Sequence, residues 1–295
     1  MTNHIIKILN EKYGYVLYSI NKINVGYVND IYKIDTNRGS FILKVYNLFE
    51  DGKRELSISV QRYISKKLLS PIIFIEEYGD NSFIVQQYLE DKQEEFSWYT
   101  YGQNLGILHS YLKEYKEIEV KDFSPIPCND IEILIRKESD SIKKELLVLK
   151  KYMLPLFSRP EISDKQIIHG DYRRDNVIFH NNKCYTIDYD EVKKYYVLYD
   201  VGKIIFNILF ERKSTLEKWE KIDEFLFGYR KVKELATDER EQFFNILGYT
   251  LVNDMSGIID TGNKDYRYTR KRLLLHKKLN ILLHEKDDIM RRLRW

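Results

Sequence analysis

Cysteine is scarce in this chain: Cys128 and Cys184 are the only two among 295 residues. Two thiols are too few for a disulfide framework, so a small stapled secreted fold is excluded and a reducing cytoplasm is expected. Long apolar runs are missing as well. None approaches the roughly 18 residues that a membrane-spanning helix needs, so no membrane partner is expected. Residues Met1 to Asn10 carry neither a basic n-region nor a small-residue cleavage site, which argues against secretion. There are no internal repeats and no low-complexity linkers.

What is present fits a globular protein: 43% hydrophobic and 32% charged residues, in a length that holds two lobes or one large domain. The net charge of +3 is unevenly spread. Thr261 to Trp295 carry eleven Lys/Arg against four Asp/Glu, leaving residues 1–260 at −4. A basic tail can touch RNA or an anionic surface. The plainer reading is the solvated face of terminal helices, with Leu273, Leu274, Ile281 and Leu282 turned inward, and it is preferred over a nucleic-acid partner. An acidic body is compatible with a cationic substrate without requiring one.

The first ninety residues read as β-rich with one helix. Tyr15 to Ile20, Asp30 to Asp35 and Ser40 to Tyr46 are β-branched and aromatic, and Asn37-Arg38-Gly39 is a turn. Asp51 to Leu69 repeats apolar residues at helical spacing through Leu56, Val60, Tyr63, Ile64 and Leu68. Two further strands follow, Ile72 to Ile75 and Ser82 to Tyr88. Helices dominate beyond Leu89, at Ser97 to Lys116, Asn129 to Met153 and from Lys203 onward. A hinge is expected near Gln86 to Asp91, dividing lobes 1–88 and 89–295.

One stretch carries chemistry. Ile168-His169-Gly170-Asp171-Tyr172-Arg173-Arg174-Asp175-Asn176 leads into two short strands, Val177-Ile178-Phe179 and Cys184-Tyr185-Thr186-Ile187, joined by Asn181-Asn182, and then Asp188. The five-residue separation of Asp171 and Asn176 matches the spacing of a kinase catalytic loop. A carboxylate to orient an attacking hydroxyl, with an amide and a second carboxylate as oxygen ligands for Mg²⁺, is what phosphoryl transfer from a nucleotide requires. Turns and caps on an ordinary hairpin are the alternative. Three polar groups arranged around two apolar strands argue against it.

The chain resembles the aminoglycoside phosphotransferase and choline kinase superfamily over nearly its whole length. Phe41-Ile42-Leu43-Lys44 looks like the family's third-strand lysine, and Glu55 like its helix partner. Gln86-Gln87-Tyr88-Leu89-Glu90 sits where the family has its nucleotide hinge, and Leu105-Gly106-Ile107-Leu108-His109 resembles its LGxLH signature. Asp200 resembles the aspartate that braces the catalytic loop. The resemblance implies an α+β, bilobal protein-kinase-like fold: an N-lobe antiparallel sheet with one helix, and a larger, mostly helical C-lobe with a catalytic β-hairpin. It implies Asp171 as catalytic base, Asn176 and Asp188 as Mg²⁺ ligands, and Lys44 bound to phosphates and held by Glu55. The Gly26-Tyr27-Val28-Asn29 turn would offer Gly26 and Asn29 to the phosphates of ATP or GTP, and Gln87 and Leu89 would flank the base. His109 and His169 read as structural histidines.

Three departures stand out. The Gly26 turn has a single glycine. After Asp188 comes Tyr189-Asp190, which leaves either aspartate able to face the metal, with Asp188 favoured. Arg173 and Arg174 occupy catalytic-loop positions where relatives often carry other pairs; they either assist charge neutralisation or form salt bridges on the loop's exterior.

Eleven residues separate Asp188 from Asp200, leaving no room for the activation segment of a protein kinase. The expected acceptor is therefore a small hydroxyl compound, an aminoglycoside-type antibiotic first. Arg174, Asp223, Glu224, Tyr249, Asp254 and Asp260 are candidate contacts. The alternatives are a metabolite kinase for choline, homoserine or a sugar, and a non-catalytic spore-coat-type protein of kinase fold. Oligomeric state is not legible.

Overall fold

The computed structural model describes residues 2–23, 29–46, 53–67, 70–78, 81–120, 165–211, 214–235, 237–246, 248 and 284–293. They fall into two compact units. The first comprises Met1–Phe96, Tyr115–Glu119 and Arg174–Val192; the second comprises Ser97–Glu114, Val120–Arg173 and Lys193–Trp295. The hairpin expected with the C-terminal lobe thus groups with the N-terminal strands.

The first unit is a five-stranded antiparallel sheet in the order β1 (Leu17–Lys22), β2 (Asp30–Thr36), β3 (Gly39–Tyr46), β5 (Asn81–Gln87), β4 (Ile72–Tyr78). Alternation along β3 sends Phe41, Leu43 and Val45 to one face, where they bury Ile5 and Leu9 of helix α1 (Thr2–Tyr13). Ile42, Lys44 and Tyr46 belong to the other face, where Tyr46 and Ile84 pack on Ile58 of helix α2 (Lys53–Ser65). Helix α1 adds a second helix to the expected lobe. Its apolar signal is short, Ile5 with Ile8 and Leu9, and lies ahead of the first strand.

The hairpin β7 (Val177–His180) and β8 (Lys183–Thr186) completes this unit. Its turn places Asn181 and Asn182 at φ 52° and 57°, the left-handed pair that a tight two-residue hairpin needs and that asparagine tolerates.

In the second unit, helix α3 (Trp98–Lys113) starts at a Ser97 cap that accepts the Thr100 N–H. It packs on helix α5 (Thr215–Arg230), which opens with a Ser214–Glu217 capping box. Helix α4 (Leu198–Leu209), which precedes α5 in the chain, is almost entirely buried, so its one aspartate, Asp200, sits in the core. Strands β6 (Gln166–Ile168) and β9 (Lys193–Tyr195) pair antiparallel and fix the entrance to the His169–Asp171 loop. The expected helix Asn129 to Met153 lies outside the described residues.

Candidate active site

Strand β3 carries Lys44 to the α2 face of the sheet, where its side chain is only 7% exposed. A buried ammonium without a counter-charge is costly. Its Nζ donates to Asp188 Oδ1 at 2.8 Å and to both Asp190 oxygens at 2.7 Å, and it lies 5.1 Å from the Tyr46 ring centroid. Burial opposes the lysine's charge, but Tyr46, Asp190 and Asp188 outweigh it and raise Lys44 above its ordinary value. Lys44 is a fixed cation. Asn29 Nδ2 donates to Asp190 Oδ2 at 2.6 Å.

The hairpin brings the two metal candidates to one place. Val177 pairs with Thr186, and the Ile187 N–H donates to the Asn176 carbonyl at 2.9 Å, so Asn176 and Asp188 flank the same end of the ladder. Asn176 is buried. Asp188 takes φ 63°, a left-handed conformation uncommon for a side chain with Cβ. Among the described residues no group of three or more His, Cys, Asp or Glu forms a cage for a metal ion. An amide beside a carboxylate still fits Mg²⁺, which takes one or two protein carboxylates and fills its shell with phosphates and water.

In the second unit Asp200 organises the His-Gly-Asp loop. Its Oδ2 accepts the His169 N–H and its Oδ1 accepts the Gly170 N–H, both at 3.0 Å. Gly170 takes φ 79°, which glycine adopts freely. His109 Nε2 lies 3.2 Å from Asp200 Oδ2 and its Nδ1 2.9 Å from Tyr229 Oη. The consistent assignment is a neutral imidazole that donates from Nε2 and accepts at Nδ1. Tyr172 stacks on Tyr101 and receives Asn104 Nδ2 at 3.0 Å, anchoring the loop to α3. Asp171 itself is a quarter exposed, with Lys203 Nζ at 3.3 Å from Oδ1 and Arg173 Nε at 3.3 Å from Oδ2. Lys203 also donates to the Gly170 carbonyl at 2.7 Å. The sequence reading missed Lys203, although its place one turn after Asp200 puts both on one face of α4.

The remaining candidates are placed as follows. Glu55 is not brought to Lys44: it is exposed, on the same stripe of α2 as Ser59 and Arg62. Helix phase is the reason. The polar residues of α2 that reach Tyr46 are Ser57 and Gln61, the latter 2.7 Å from its hydroxyl. The Arg174 guanidinium donates to Asp91 Oδ2 and to the Val177 carbonyl, and lies over the Phe96 and Phe179 rings, which makes it a clamp on the hairpin. Asp223 is tied to Arg292 of the terminal helix α6 (Lys286–Leu293), and Glu224 accepts the Tyr99 N–H at 3.3 Å. At the end of β5 the Gln87 N–H donates to Pro71 and the Tyr88 N–H to Ser40; the Gln87 side chain is exposed and Leu89 is buried. Gly26, Tyr249, Asp254 and Asp260 lie outside the described residues.

A sheet unit with a buried lysine against two aspartates, and a helical unit with a braced His-Gly-Asp loop, make up a protein-kinase-like α+β fold. The chain belongs to the phosphotransferase enzyme family, whose model matches residues 19–235. Among solved structures it is similar to an amicoumacin kinase in complex with AMP-PNP and Ca²⁺, at 17% identity and TM-score 0.63 over 94% of this chain and 95% of that one. A choline kinase from Cryptosporidium parvum aligns at 16% identity and TM-score 0.62 over 98% of both chains. A spectinomycin phosphotransferase in complex with ADP aligns at 15% identity and TM-score 0.59 over 99% and 97%. At these identities the likeness is one of fold. Comparison with curated proteins finds no match. Among the described residues no helix is long and apolar enough to cross a membrane.

Proposed function

We propose that the chain transfers the γ-phosphoryl group of ATP or GTP to a hydroxyl of a small molecule, an aminoglycoside-type antibiotic being the first class to try. The observation that carries this reading is the buried Lys44 ammonium 2.8 Å from Asp188, beside the hairpin whose base holds Asn176. In this reading Lys44 pairs with nucleotide phosphate oxygens, while Gly26, Asn29, Gln87 and Leu89 border the nucleotide. Asn176 and Asp188 hold Mg²⁺, whose charge neutralises the phosphates.

Asp171 is the base. It accepts the acceptor's hydroxyl hydrogen bond and takes the proton late, because the transition state is loose. Lys203 and Arg173 fix its carboxylate, and Asp200 fixes the backbone amides of His169 and Gly170. Asp171 and Asn176 are five residues apart on one loop, a span that chain geometry holds to about 18 Å or less. The short segment after Asp188 supports a small acceptor. It passes directly into β9 and then α4, so no peptide-docking loop intervenes. The setting proposed is the cytoplasm, where nucleotide is supplied.

The test has two arms. Mg²⁺–ATP or Mg²⁺–GTP at 100 times its Kd should stabilise the fold by about 2.7 kcal/mol and raise the thermal midpoint. A panel of hydroxyl compounds, antibiotics and metabolites together, should then reveal nucleotide consumption by wild type with at least one acceptor. No midpoint shift with either nucleotide at millimolar concentration would favour a non-catalytic protein of this fold.

A further inference from the structure

The protein-kinase pattern holds its nucleotide lysine with a glutamate from the neighbouring helix. Here that helix presents no acid to Lys44. Its inward polar residues are Ser57 and Gln61, both engaged with Tyr46, and Glu55 faces outward. The counter-charge comes from the segment after β8. Tyr189 is fully buried and turns Asp188 and Asp190 to one side, yet the two carboxylates have different surroundings. Asp188 is 41% exposed and gives Lys44 one oxygen. Asp190 is 20% exposed, has both oxygens on Lys44 and takes the Asn29 amide as well. The Asn29 Oδ1 is buried and has no partner among the described residues.

We propose that Asp190 is the positioning residue for Lys44, replacing the helix acid, and that Asn29 fixes Asp190 in turn. The inference rests on the nucleotide-binding reading of Lys44. It has a specific consequence: the lysine is set by its own unit's hairpin segment and does not depend on any acid of α2.

A double-mutant cycle tests it, using Asp190→Asn, Lys44→Met and the combined variant, with Glu55→Gln alongside. For each protein kcat/KM for the nucleotide, nucleotide affinity and the ligand-free thermal midpoint are measured. Asp190→Asn should cost about 10- to 100-fold in kcat/KM, the usual loss when a partner that orients a functional group is removed. In the Lys44→Met background the same change should cost less than about twofold, since a residue acting through Lys44 has nothing left to position. Glu55→Gln should stay within about twofold of wild type. The combined variant also removes the unpaired buried charge, so a fold lost in one single variant still leaves a folded comparison. Additive losses, or a Glu55→Gln loss as large as that of Asp190→Asn, overturn the assignment while leaving the phosphotransferase reading intact. A wild-type protein that binds neither nucleotide overturns both.

Discussion

Asp200 is fully buried and still carries charge, because its oxygens take two backbone amides and the His109 ring. Burial raises its proton affinity, but the hydrogen bond from His109 and the neighbouring Lys203 cation outweigh that and hold it below the ordinary carboxylate range. His109 is also held below its ordinary value: burial lowers it from 6.5, with Asp200 opposing. As pH falls below about 6.5 the unfolded chain takes up the His109 proton before the folded chain does, so stability declines. The Asp200 contribution is present above about pH 4 and is lost below it. We expect the thermal midpoint to fall between pH 7 and pH 5, and His109→Gln, which keeps a donor toward Asp200, to flatten that slope. Equal slopes in the two proteins would contradict the neutral-histidine account. Lys44, Asn176, Asp188 and Asp171 stood out in the sequence by residue type and spacing, from which the proposed chemistry is read. Glu55 was misread because spacing along the chain ignores helix phase, and Asp190 and Lys203 show themselves only through contacts.

At the scale of elements, strong periodicity was readable and long-range closeness was not. The sheet strands and the β7–β8 hairpin lie within a few residues of where alternation and Asn181-Asn182 put them. The short strands β6 and β9 carry no such signal, since three residues cannot show a period. The packing of α3 on α5 was also hidden. A Cβ at Gly102 would meet the Phe225 carbonyl oxygen at 2.1 Å, and one at Gly228 would meet the Tyr99 carbonyl oxygen at 2.1 Å. Those are backbone atoms that cannot swing aside, so the two glycines set how closely the helices approach. Gly102→Ala should destabilise the fold by about 1–3 kcal/mol, the usual cost of overpacking, and lower the thermal midpoint. An unchanged midpoint would mean that the helices separate at no cost.

For the molecule as a whole, fold class followed from strands ahead of helices and from motifs spread along the chain, and the family match over residues 19–235 agrees with it. The acceptor was not legible, because the residues that would contact it have no shared motif, and Asp223 and Arg174 are engaged with Arg292 and Asp91. The central claim is that a carboxylate at position 171 draws the proton from an acceptor hydroxyl while the first unit holds the nucleotide. The most direct measurement is mass-spectrometric detection of the phosphorylated acceptor, made with wild type and Asp171→Asn at equal nucleotide saturation. The account predicts product from wild type and essentially none from the variant, with the nucleotide-induced rise in midpoint preserved in both. Product formed by Asp171→Asn at the wild-type rate would contradict it.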